Sequence, residues 1–179
     1  MTSIRHNDGV LDAALACVLA HGVRRTTLTD VARRAGVSRM TIYRRWPDVR
    51  TLVADLMTRE WTRVLEGLEL SDPVEAVVSG VRAMRGHPLW RKIVEVDPEL
   101  LLPYLTDRRG AAHEAILSVL EPVAGSPAKA RAVLLTAQSF LISAPTMLCP
   151  TTTDELDAEL RTLLEAYLGQ LSQRRQAGG

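Results

Sequence analysis

Apolar residues recur at spacings of three and four along almost the whole chain. No alternation of period two runs far enough to build a sheet. The pattern therefore predicts an all-α protein. The first stripe, Val10, Leu11, Ala14, Leu15, Val18 and Leu19, places a helix over residues 8–21, with Asn7 or Asp8 as its cap and Gly22 as its stop. Two short helices follow, over 28–35 and 39–45. Thr27 and Ser38 are good N-caps for them, Asp30 complements the start of the first, Gly36 ends it, and Pro47 limits the second. Asp48 opens a long helix whose stripe runs Val49, Leu52, Val53, Leu56, Met57, Trp61, Val64, Leu65 and Leu68, ending near Gly67.

Later helix starts are also marked. Asp72-Pro73, Pro88, Asp97-Pro98, Asp107 and Ser126-Pro127 each open a segment, and Thr152 with Glu155 forms a capping-box pattern. The last two long helices are expected over 127–149 and 154–171, followed by a polar, frayed tail over 173–179. There is no internal repeat. Residues 132–153 carry no charge, and 22 residues are enough to span a bilayer. Their threonines, serines, Gln138, Pro145 and Pro150 fit a buried or interface helix better.

Charge divides the chain. Residues 1–50 hold nine arginines against four aspartates, a balance of +5, whereas residues 51–179 hold 13 basic and 17 acidic residues, a balance of −4. A basic head on an acidic body suits a polyanion partner for the head alone. Cys17 and Cys149 form no disulfide framework, and the first ten residues, MTSIRHNDGV, contain no apolar secretory run. A reducing, cytoplasmic setting is expected, with no membrane partner. Cys17 and His21 lie four apart on one helix, but two ligands make no zinc site. The four histidines have no metal spacing, and no phosphate loop, HExxH or nucleophile elbow is present. The sequence offers no catalytic residues, no metal site and no cofactor.

Function concentrates in TLTDVARRAGVSRMTIYRRWPDVRTL, residues 27–52. Two short helices meet at Ala35-Gly36-Val37, with Ala32 small enough for close approach and Ile42 placed to plug the space between them. That is the spacing of a helix-turn-helix, with Val31, Val37 and Ile42 inward. Arg39, Met40, Tyr43 and Arg44 then share the outward face of the second helix. An arginine near the start of such a helix can bond guanine bidentately in the major groove. Tyr43, Arg45 and the Thr27 hydroxyl are placed for phosphates.

The run from Gly22 to Asp48, GVRRTTLTDVARRAGVSRMTIYRRWPD, resembles the TetR family of bacterial transcriptional repressors. Its diagnostic parts are Thr26-Thr27 before the first short helix, the Ala35-Gly36-Val37-Ser38 turn, and Thr41-Ile42-Tyr43 followed by an aromatic. The resemblance covers about residues 10–55. It implies a homodimer on a palindromic operator in double-stranded DNA and a variable C-terminal domain that binds an inducer. It also implies phosphate contacts from Thr27 and Tyr43 and base contacts from Thr29, Arg39 and Met40, with Thr41 and Arg44 beside them. Three positions depart from the family's usual pattern. Met40 stands where Gly, Ala or Pro is usual, and can reach a thymine methyl. Val49 replaces a lysine, whose phosphate contact is lost or passes to Arg50. Trp46 replaces a phenylalanine.

Two domains are expected: residues 1–50 as the DNA-binding head, and 51–179 as a helical bundle for effector binding and dimerisation. An aliphatic interior suits a hydrophobic or amphipathic small-molecule effector. The candidate lining is Met84, His87, Trp90, Tyr104, His113, Gln138, Phe140 and Met147, although apolar residues at helical spacing are more often plain core; Arg109 and Glu114 are further polar candidates. The helix over 127–149 is apolar on nearly all sides, so it and the last helix are the expected dimer surface, through Leu134, Ala137, Leu141, Leu160, Leu164, Tyr167 and Leu168. Two other readings compete: a constitutive DNA-binding regulator without an inducer, and a helical adaptor whose basic face binds protein.

Overall fold

The structure is a computed structural model. It describes residues 2–107 and 109–176, with side chains over 8–107 and 109–168. Every regular element among the described residues is helical. They are α1 (Thr2–His21), α2 (Leu28–Ala35), α3 (Arg39–Tyr43), α4 (Val49–Glu66), α5 (Pro73–Gly86), α6 (Pro88–Val96), α7 (Leu102–Thr106), α8 (Ala111–Ala124), α9 (Pro127–Ser143) and α10 (Thr153–Gln176). Short 3-10 turns cover Pro98–Leu100 and Ala144–Met147.

The chain forms two compact units. The first comprises residues 1–61 and 86–110, the second residues 62–85 and 111–179. The boundary expected after residue 50 falls inside α4, and α6 and α7 group with the head. In the first unit α1, α2 and α3 bury Val10, Ala14, Val18, Val31, Ala32 and Ile42, and α4 buries Leu52 and Leu56. α6 packs on α1 and buries Leu89 and Ile93. The second unit has its own core: Val78 and Val81 of α5, Leu117 and Leu120 of α8, Val133 and Leu134 of α9, and Leu160, Leu164 and Leu168 of α10.

Several boundaries differ from expectation, each for a local reason. α1 begins at Thr2, so neither Asn7 nor Asp8 caps it; the polar residues before Val10 continue the helix without an apolar stripe to mark it. α3 ends at Tyr43, two residues early. Asp107 closes α7 instead of opening the next helix, which starts only after Gly110. α9 stops at Ser143, because Pro145 lacks an N–H and the chain tightens into the 3-10 turn. α10 continues to Gln176, beyond the expected end near Leu171; residues 177–179 lie outside the described part, as do the side chains from 169 onward. The capping box at its start is formed: the Thr152 N–H donates to Glu155 Oε2 at 2.7 Å and the Glu155 N–H to Thr152 Oγ1 at 3.3 Å. No helix among the described residues is long and apolar enough to cross a membrane.

Candidate nucleic-acid interface

The helix-turn-helix over residues 27–52 is built from three caps, at Thr27, Ser38 and Asp48, and one left-handed turn, at Gly36. The Asp30 N–H donates to Thr27 Oγ1 at 3.1 Å, and the Thr27 hydroxyl donates back to Asp30 Oδ2 at 2.6 Å, which closes the first turn of α2. Gly36 ends α2 with φ +66°, a conformation that costs other residues free energy. There the Val37 N–H donates to the Ala32 carbonyl at 3.0 Å and the Gly36 N–H to the Arg33 carbonyl at 3.3 Å, the bonding pattern of a Schellman stop. Ser38 follows at once as the cap of α3, accepting the Thr41 N–H at 3.2 Å. The chain thus turns within three residues, and Val31, Ala32 and Ile42 fill the angle between the two helices.

With Ile42 fully buried, α3 must present its other side to solvent. Met40 is 81% exposed and Tyr43 50%, and Arg39 and Arg44 are exposed beside them. Arg39 directly follows the Ser38 cap, so it stands at the N-terminal end of the helix. Thr41 is half-buried, and its hydroxyl pairs with Ser38 Oγ at 2.8 Å, so both hydroxyls are occupied by the cap. Thr27 is exposed and Thr29 half-buried at the start of α2.

The far end of α3 is anchored to α4. Trp46 is 2% exposed, and its indole N–H donates to Asp55. The Arg45 guanidinium lies over the Trp46 ring, 4.9 Å from the centroid, and 3.8 Å from Asp55 Oδ2. Arg45 is therefore already engaged within the head, unlike Arg39 and Arg44, which make no ion pair among the described residues. Asp48 caps α4 by accepting the Thr51 N–H at 2.8 Å, and that bond holds its carboxyl below the usual aspartate range. Arg50 is exposed in the first turn of α4, next to the half-buried Val49.

Residues 10–56 match the family model described as bacterial regulatory proteins of the tetR family. An HTH-type transcriptional regulator of Mycobacterium tuberculosis is 36% identical over 176 residues, covering 89% of this chain and 92% of the relative. The chain belongs to the TetR family. A second relative, the HTH-type transcriptional regulator AqdR of Rhodococcus erythropolis, is 44% identical over 61 residues, covering 34% of this chain and 30% of its own. Among solved structures, the TetR-family repressor AlkX of a Dietzia strain superposes with a TM-score of 0.60 at 22% identity, covering 90% of this chain and 97% of that one. The SmeT–triclosan complex superposes with a TM-score of 0.58 at 23% identity, covering 92% of each chain. These two likenesses establish the fold. As a TetR-family member the chain is a DNA-binding transcriptional regulator and not an enzyme.

In this TetR-family chain the eight candidate lining residues are divided between the two units, three in the first and five in the second. His87 and Trp90 join Trp61 in the first unit, with ring centroids 5.4 Å and 6.1 Å from the Trp61 ring. His87 Nδ1 accepts the Leu89 N–H at 3.2 Å, and Nε2 lies 3.4 Å from Oε2 of the buried Glu60. Tyr104 is half-buried in the same unit. In the second unit His113 and Gln138 share a hydrogen bond of 2.6 Å, Phe140 packs against the core, and Met84 is half-buried. Arg109 and Glu114 are exposed, in the first and second units respectively. Met147 is 60% exposed, because the helix expected to carry it ends four residues earlier.

The dimer candidates are also redistributed. Leu134, Leu160, Leu164 and Leu168 are buried in the chain's own core, and Ala137 and Leu141 pack against that core. Only Tyr167 stays substantially exposed, with the Lys129 ammonium 6.0 Å from its ring centroid. The apolar residues left open on these helices are Val119 and Val123 of α8, Leu135 of α9 and Leu163 of α10. Sequence periodicity identified the stripe but not which side of it the chain itself would cover. Three buried acids were also missed: Glu60, Asp97 and Asp157. The available signal was position, since Glu60 follows Leu56 by four, and Asp157 precedes Leu160 by three, on core-facing stripes.

Proposed function

We propose that the chain is a homodimeric repressor that holds a palindromic operator through α3 and is released by a small hydrophobic effector. The observation that carries this reading is the outward face of α3. A buried Ile42 forces Arg39, Met40, Tyr43 and Arg44 outward together, directly after a capped helix start. In this reading Arg39 and Met40 read bases, Thr29 lies beside them, and Thr27, Tyr43, Arg44 and Arg50 hold phosphates. Ser38 and Thr41 act through the cap, which sets the angle at which α3 meets the groove.

The exposed apolar side chains of α8, α9 and α10 support a symmetric helical interface, since Leu135 and Leu163 gain nothing from water. The effector reading draws on the aliphatic interior and on the triclosan named with the SmeT structure. The experiment is a titration against single-base variants of a duplex selected by the protein from a randomised pool, joined to sedimentation at micromolar concentration. Two protomers per duplex and a symmetric base profile are expected. A monomer that binds all duplexes equally would refute the reading. A thermal-shift screen of apolar compounds tests the effector, because a ligand that binds the folded state raises the melting temperature.

A further inference from the structure

Asp97 is fully buried at the junction between α6 and the 3-10 turn Pro98–Leu100, and it caps neither element through its side chain. Its Oδ2 instead accepts the Val23 N–H at 2.7 Å, a bond that spans 74 residues. Oδ1 has no hydrogen-bond partner and lies 3.6 Å from Arg24 Nε. Arg24 Nε in turn donates to Glu99 Oε1 at 2.8 Å. Gly22 completes the contact: its φ is +79°, and a Cβ there would stand 2.9 Å from Asp97 Oδ2. On the other side of the turn the Thr26 hydroxyl donates to the Gly22 carbonyl at 2.8 Å, and Thr27, the cap of α2, is the next residue.

A buried carboxylate with one unbonded oxygen is costly to keep, and nothing in α6 uses it. Its one strong bond goes to the turn from which the helix-turn-helix starts. We propose that Asp97 is a positioning residue for DNA binding. Its carboxylate fixes the Gly22–Val23 turn and thereby the placement of α2 and α3 on α1. The DNA-competent head is then the state in which this latch is closed. Apparent operator affinity follows the closed fraction, and a shift of residues 96–99 weakens binding without touching any DNA contact.

The test compares wild type, Asp97→Ala and Asp97→Asn, each full length, against a duplex selected by the wild type from a randomised pool. Amide hydrogen exchange is followed on the free proteins. Asp97→Ala should weaken binding about tenfold or more, the scale of a lost hydrogen bond to a charged group. It should expose the Val23 amide to exchange while Val18, Val31 and Ile42 stay protected, and it should leave base preference and salt slope unchanged. Asp97→Asn keeps an oxygen acceptor for the Val23 N–H and should recover most of the affinity. Wild-type affinity in Asp97→Ala despite fast Val23 exchange overturns the proposal. So does a loss of affinity that comes only with lost protection at Val31 and Ile42, which marks plain fold stability, or equal weakening by both variants. A wild type that selects no duplex sinks the proposal together with the DNA reading beneath it.

Discussion

The Trp46 indole N–H donates to Asp55 Oδ2 at 2.8 Å, and this one bond ties the end of α3 to the second turn of α4. A phenylalanine at this position would keep an aromatic ring in the core but lose the bond and leave part of the indole's volume unfilled. Trp46→Phe should therefore cost about 1–2 kcal/mol, toward the low end for a hydrogen bond to a carboxylate because Asp55 is half exposed. Urea unfolding at fixed protein concentration measures it. A variant as stable as wild type would show that the ring alone anchors α3.

Arg39 at the start of α3 and Arg44 and Arg45 just past its end should separate by what already holds them. For the dimer on a palindromic operator proposed above, Arg39→Ala should cost about 1–3 kcal/mol per half-site and relax base preference at one symmetric pair of positions. Arg44→Ala should lower the salt slope by about one unit per half-site with the preference profile intact. Arg45→Ala should lower it less, because its guanidinium is committed to Trp46 and Asp55. Titrations at several salt concentrations give all three slopes, and a larger slope change for Arg45 than for Arg44 would reverse the assignment.

Asp157 of α10 is 1% exposed and takes two arginines from α5: Arg85, through bonds of 3.0 and 3.3 Å, and Arg82, at 3.2 Å. Removing the carboxylate leaves Arg85 charged in a largely covered position. Asp157→Ala should destabilise the second unit by about 3 kcal/mol or more, read as a shift in the urea midpoint. A change under about 1 kcal/mol would place the pair among ordinary surface bridges.

Glu75 of α5 bonds Arg161 of α10, and that bond, followed by one from Ser79, holds its carboxyl below the ordinary glutamate value. A carboxyl depressed in the folded state contributes its stability above the unfolded value, and that contribution fades as pH falls through the folded one. Stability should therefore be level near neutrality and decline in acid below the ordinary glutamate range. Glu75→Gln should flatten part of that decline. Thermal melts across the acid range check the slope, and an unchanged acid limb in the variant would remove Glu75 from the cause.

The head was readable from sequence because its signals are local. Thr27, Gly36 and Ser38 each act on residues within five positions, so spacing alone implies the turn and the outward face of α3. The same holds for Ser126 and the Thr152–Glu155 box. What stayed hidden depends on residues far apart in the chain. Asp97 reads as a helix opener beside Pro98, yet its carboxylate is committed to Val23. Leu160, Leu164 and Leu168 read as a sticky stripe, and only the packing of α5, α8 and α9 determines that the chain covers them itself. Arg45 resembles its neighbours until Trp46 is seen beneath it.

Met40 has a consequence outside recognition. Of the four methionines with described side chains it is the most exposed, at 81%, while Met57 is 7% exposed. Its side chain is thus open to a peroxide molecule, as is that of Met147 at 60% exposed. Oxidation to the sulfoxide would place a polar, chiral oxygen on the one apolar position at the tip of α3. Protein aged in air would then bind its operator less well although its fold is intact, and treatment with a methionine sulfoxide reductase would bring the binding back.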